Sequence, residues 1–418
     1  MSKWLANAIE QASSKQDWFQ PLRAQAIQSL AEITWPTRKT EAWKYTSLRA
    51  VERFKQEAEI KKLRDSVTTI DEFDAIELVF ENGHCQFQQI GDLPKGLTIV
   101  KLNEASSEMQ SFALQKFSSV KPKRHLFGLI NDALVPDLVY IKVADQAVID
   151  KPIRITSLLS EQAQVHTRVF VELGQQAKAC IVEHYKGELE CLNTGFIEYS
   201  LANESCLEHY RFALQSGKAV SIGGSHFELA ECADLNSTVV GFGSDLSRLD
   251  IDVIHSGERA FAKLNAFYLL DNKETFDLHT TIEHAVPNGT TEENVRIIAG
   301  DKAKAVFNGR IHIHRDAQKT LAELNNRNLL MSHDAEINTK PELEIYADDV
   351  RCAHGATVAE IDKKAMYYLQ SRGVPKEQAQ VMLNFGFINE LIDEMPNQAL
   401  AQWLRPQMKK RFAAMKVK

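Results

Sequence analysis

Cys352 and His354, separated by Ala353 in the stretch DDVRCAHGAT from Asp348 to Thr357, are the residues whose types and spacing most plainly offer chemistry. A thiolate and an imidazole can together bind one soft or borderline metal ion, such as iron or zinc. If the run Leu343-Glu344-Ile345-Tyr346 continues as a strand into this stretch, residues two apart point to the same face. The two side chains then stand roughly 6.6 Å apart along the strand. Two ligands do not close a site, since structural zinc and iron–sulfur centres usually take four. The remaining ligands must come from elsewhere in the fold or from another chain. The competing reading is a buried cysteine beside a hydrogen-bonded histidine.

Other reactive patterns are weaker. His312 and His314 would share one face of a strand, whereas the adjacent His84 and Cys85 would face opposite ways. Asp250 and Asp252 alternate as the paired carboxylates of a carbohydrate-cleaving β-helix do. The strings GxxxxGK[ST], GxSxG, HExxH and GxGxxG do not occur, so no nucleotide-cradling loop or familiar catalytic motif is present. Cysteines 85, 180, 191, 206, 232 and 352 form no CxxC pair and do not read as a disulfide framework.

The 418 residues carry a net charge of −7, which gives no reason to expect nucleic acid or an anionic membrane as partner. The N-terminal MSKWLANAIEQASSKQD lacks the apolar core of a signal peptide, and no apolar run is long enough to span a bilayer. A cytoplasmic address is expected.

The elements that must position the Cys–His pair follow from periodicity. Trp4, Leu5, Ala8, Ile9 and Ala12, then Leu22, Ala26, Ile27 and Leu30, recur at helical spacing. The following PTRKTEAWKYTSL, Pro36 to Leu48, reads either as a docking segment or as a loop packed on its own helices. From about Phe73 to Ile345 short alternating runs imply many strands, with a helix at roughly Glu104 to Phe117. The string GxxAxA recurs at Gly174, Gly257 and Gly300, with comparable turns near Asn203 and Glu231. A near-constant step of one turn type is what a stacked solenoid requires, so a right-handed parallel β-helix is predicted, with Pro287-Asn288-Gly289 in a longer excursion. Beyond Glu360 the chain reads as helical again, with Gly373 as a cap and Pro375 opening the next helix. The expected order is an N-terminal helical domain (1–70), a β-helix core (71–358) and a C-terminal helical domain (359–418).

The run from Asn326 to Gly373, above all TKPELEI, DDVRCAHGAT and YYLQSRG, resembles the C-terminal signature of the SufB/SufD family of iron–sulfur cluster assembly proteins. The resemblance implies a non-enzymatic scaffold subunit of a SufB–SufC–SufD complex, with ATPase activity confined to the ABC-type partner SufC. It implies pairing with SufB along the β-helix, docking of SufC on the C-terminal helices, and a homodimer when the chain is isolated. Cys352 and His354 then fall at the SufB-facing interface, where iron or a transient cluster is shared. A flavin in the complex is a further implication. Exposed Tyr367, Phe387 and Met395 are expected to meet the ATPase. Ala353 departs from the serine frequent in the family. The alternative function is a β-helix carbohydrate-active enzyme or a polymer-binding solenoid.

Overall fold

The computed structural model describes residues 2–54, 73–87, 92–158, 164–187 and 189–415; the expected boundary near residue 70 lies outside them. The chain is mainly β, and its alternating runs coil into a parallel β-solenoid. From Leu138–Val143 to Arg351–Glu360, successive strands go alternately to two sheets. Each therefore pairs in parallel with the strand two further on, as His226 lies opposite Asp252 and Asp252 opposite Thr281. The described strands make one sheet of ten and one of nine.

Period-two alternation sends one set of side chains between the sheets. Leu249 and Val253 face inward and align with Leu278 and Ile282 of the next coil; all four belong to the apolar column that fills the space between the sheets. Burying each such side chain contributes about 1.5–3 kcal/mol.

The repeat is a turn, and its geometry explains its residues. Gln146, Gln176, Glu204, Cys232, Arg259, Asn288 and Lys319 all have φ between 56° and 63°, one per coil along one edge of the solenoid. A left-handed backbone is unfavourable for these residue types. A ladder between coils offsets it: the N–H groups of Gln176, Glu204 and Cys232 donate to Asn203, Glu231 and Glu258 carbonyls, each at 2.9 Å. The next residue is small and buried, as at Ala177, Ser205, Ala233 and Ala260. Gly257 is required by close approach, since a Cβ there would lie 2.0 Å from the Glu231 nitrogen. The third GxxAxA string differs: Gly300 follows a strand of the ten-stranded sheet and turns on the opposite edge, with Asp301 at φ 44°. Pro287-Asn288-Gly289 belongs to the ordinary ladder and not to a longer excursion.

The helices lie on the solenoid's outer faces. Lys3–Ser13 and Gln20–Glu32 share one apolar cluster with Leu192, Phe196, Val220, Ile222 and Leu246 on the nine-stranded sheet. The Lys376–Asp393 and Gln398–Ala414 helices share another with Val182, Phe212, Phe267 and Ile298 on the ten-stranded sheet. Ser107–Lys116 matches the helix expected inside the strand region. Leu126–Leu134 was not expected: it is short, and every one of its residues is buried, the polar Asn131 and Asp132 included. The Pro36–Leu48 segment packs on its own fold: Trp43 is buried under the Arg248 guanidinium, 4.0 Å from the ring centroid.

Candidate functional site

Arg351–Glu360 is the last strand of the ten-stranded sheet, paired only with Leu321–Leu330 among the described residues. Cys352 stands opposite Ala322 and His354 opposite Leu324. Ala322 and Leu324 are core residues at 0% and 2% exposure, so Cys352 and His354 share the face toward the space between the sheets; they do so on a strand of their own, because Glu336–Ile345 ends before them and belongs to the other sheet. Here that space is open. Cys352 is partly buried against the end of the core, while His354 is exposed. Burial pushes the Cys352 thiol up, opposed by a backbone hydrogen bond from Ala322. A bound metal would supply the charge that removes its proton.

Just behind the pair the lumen turns polar. Asn326 and Asn328 exchange side-chain hydrogen bonds, and the Thr339 hydroxyl donates to Asn326 at 2.7 Å. Glu293 lies two coils back in the row of His354. Burial pushes its carboxyl up to about 7, partly countered by the Thr280 hydroxyl at 2.6 Å.

The residues expected to meet the ATPase divide. Tyr367 is 73% exposed on the Lys363–Ser371 helix, which buries none of its residues. That helix closes as expected: Gly373 has φ 86°, and the N–H groups of Gly373 and Val374 donate to Gln370 and Leu369. Phe387 is half-buried against the cluster under the C-terminal helices. Met395 corrects the expectation of exposure. It is 1% exposed inside that same cluster, because Leu400, Leu404 and Met408 of the following helix pack in it too and cover this side chain.

Asp250 and Asp252 share an outward face, but both are buried and paired. Arg248 holds Asp250 at 2.9 Å, and His226 holds Asp252 at 2.8 Å. They offer no free carboxylates for glycoside chemistry. His312 and His314 do lie together, 4.7 Å between ring centroids, each engaged by its own carboxylate, Glu344 and Glu283. All six cysteines are free thiols.

Two groupings escaped the sequence because only the folded chain assembles them. Inside the lumen, the Glu183 carboxylate accepts hydrogen bonds from Tyr185, Tyr199, His209, Arg211 and Ser225. Burial opposes its charge, yet Arg211 and His209 more than offset this and hold it at about 2. On the nine-stranded sheet, His125, His226 and Asp252 bring their ligand atoms within 4.8 Å of one another. A third feature, an open concavity of about 590 Å³, is lined by Arg53, Glu190, Lys218, Asp245 and Lys273. None of its lining residues is aromatic, and Arg53 is paired with Glu190.

Comparison with known proteins gives this geometry a family. The SufBD core domain of SUF-system FeS cluster assembly matches residues 156–387, and the SufBD N-terminal region matches residues 5–155. The chain belongs to the SufBD family of iron–sulfur cluster assembly proteins. Within that family it is similar to the iron–sulfur cluster assembly protein SufD of Escherichia coli, 29% identical over 91% of this chain and 90% of that one. It is also 26% identical to the chloroplastic protein ABCI7 of Arabidopsis thaliana, over 98% of this chain and 89% of the relative. A SufBD family protein of Synechocystis is 26% identical over 92% and 89%. No helix of the described residues is long and apolar enough to cross a membrane.

Proposed function

We propose that the chain is a non-catalytic scaffold subunit of iron–sulfur cluster assembly, whose Cys352 and His354 hold iron or a nascent cluster shared with a SufB partner. The observation that carries this reading is the open edge of Arg351–Glu360 beside an inward-facing thiol and imidazole. A strand edge of this kind is completed by strand addition. Pairing there sets a second chain's side chains against the same open lumen and supplies the ligands this chain lacks. In isolation the same edge pairs two copies of this chain. The exposed Tyr367 face, continued by Phe387, docks the ABC-type ATPase SufC. ATP binding belongs to that partner, since the chain lacks a phosphate-cradling string. The coil is read as right-handed, as nearly all parallel crossovers are.

Backbone alternation supplies the test. The Arg351 N–H donates to Thr320 within the sheet at 2.9 Å, so the N–H of Ala356 points to the open edge. Ala356→Pro removes an edge donor without breaking a ladder bond of its own chain. Co-expressed with SufB-like and SufC-like partners, this variant should fold, retain SufC and lose SufB. Undiminished recovery of SufB would contradict pairing through this edge.

A further inference from the structure

We propose that His125, His226 and Asp252 form a site for one borderline divalent ion of the zinc or ferrous class. That ion would staple the segment before the Leu126–Leu134 helix to the nine-stranded sheet. The site is independent of the Cys352–His354 edge and of the reading given to it.

Its floor is rigid. His226 and Asp252 are register partners on adjacent strands, in one outward row with Glu198 and Thr281. His125 descends from the other side as the residue capping the Leu126–Leu134 helix. Its Nε2 lies 2.7 Å from Asp252 Oδ2, and His226 Nδ1 lies 2.8 Å from the same oxygen. Two imidazole nitrogens thus converge on one carboxylate oxygen. The other oxygen is held by Arg124, whose guanidinium also donates to Thr281 at 3.2 Å. This fixes the carboxylate with a single oxygen turned toward the rings.

Two imidazoles and a carboxylate are the donor set of borderline first-row ions. The rings are already oriented: His226 is stacked between Phe196 and His125, at centroid distances of 5.9 and 5.2 Å. His226 Nδ1 donates its proton to the Asp252 carboxylate, and the buried Nε2 has no hydrogen-bond partner; an ion taking the place of that proton leaves Nε2 as the ring's N–H. Asp250 stands 4.0 Å from His125 Nδ1. That is beyond hydrogen-bond length, but it is the side from which carboxylates support metal-bound imidazoles. The His125 side chain is 13% exposed against 0% for His226 and 4% for Asp252. An ion would therefore enter past His125 and keep a position for water on that side.

The staple has a counterpart at the start of the same segment. There the N–H groups of Ser118, Val120 and Lys121 donate to Glu198 at 2.7, 2.8 and 2.7 Å. Glu198 is the next member of the row, opposite His226.

The test uses the full chain carrying Cys352→Ser and His354→Ala, so that the edge pair cannot contribute. Co²⁺ titration should saturate at one ion per chain, with visible ligand-field bands, no sulfur-to-cobalt charge transfer, and displacement by Zn²⁺. Zn²⁺ should also raise the melting temperature. Adding His125→Gln or His226→Gln should remove both the bands and the rise. If one variant fails to fold, the other and the parent's Zn²⁺ response still decide. A Zn²⁺-independent melting temperature in the parent, or bands that survive in a folded variant, would overturn the site.

Discussion

His354 stands opposite Leu324 on the same inward row, yet Leu324 is 2% exposed and His354 is open to solvent. Nothing in the strand's own sequence distinguishes the two positions. The difference is that no described coil stacks beyond Arg351–Glu360. A position that is buried in the coils behind it, at Leu324 and Glu293, becomes at the solenoid's end a place where a side chain between the sheets is open to solvent.

Close approach of coils at the turns predicts a steric penalty. Gly257→Ala forces a Cβ toward the backbone of the preceding coil, with the Ala230 carbonyl carbon 2.2 Å away. Backbone cannot yield as a side-chain tip does, so the variant should lose about 1–3 kcal/mol. The urea midpoint measures this; an unchanged midpoint would mean the coils are free to separate there.

Buried histidines predict acid sensitivity. Burial holds His284 at about 4, and burial aided by a nearby cation holds His166 and His184 at about 3. Unfolded histidine takes up its proton near 6.5. Below that pH the unfolded chain binds protons that the folded chain refuses, so stability falls as pH drops toward 4 and then 3. Glu183 adds loss in the same direction, from the ordinary carboxylate range down to about 2. Denaturant midpoints should therefore decline between pH 7 and pH 5. A flat profile would contradict neutral buried rings.

Tyr367 and Met395 should behave oppositely. Tyr367→Ala removes an exposed ring and should leave the melting temperature unchanged while weakening capture of the ATPase partner. Met395→Ala opens a cavity inside a packed cluster and should lose about 2–5 kcal/mol. Deleting residues 361–418 would be a poor substitute, because it strips Leu404, Met408 and Phe412 from the outer face of the sheet. If Tyr367→Ala retains the partner at wild-type affinity, the docking surface lies elsewhere.

These contrasts mark what the sequence could disclose. Cys352 and His354 share a face because alternation is a local property of a strand, and two positions suffice to state it. The Gly174 and Gly257 turns are legible because a small residue must follow the left-handed position. The matching string at Gly300 misleads, because both edges of a coil obey similar sterics. Leu126–Leu134 is hidden by burial on all sides, and Met395 by a helix that returns over it. His226 and Asp252 are brought together by the register of the coil and His125 by the segment laid over it, which no local pattern encodes.

The role proposed for His354 and Cys352 is in cluster assembly and not in stability. The most direct measurement takes the co-purified complex carrying His354→Ala or Cys352→Ser and determines its subunit ratio, melting temperature and iron content together. Removing an exposed imidazole leaves no cavity, so assembly and melting temperature should match the parent. Iron should fall sharply, because an incomplete shell holds it weakly, and serine replaces a soft ligand by a hard one. Loss of assembly with a proportionate loss of iron, or iron retained at the parental level in both variants, would rule that role out.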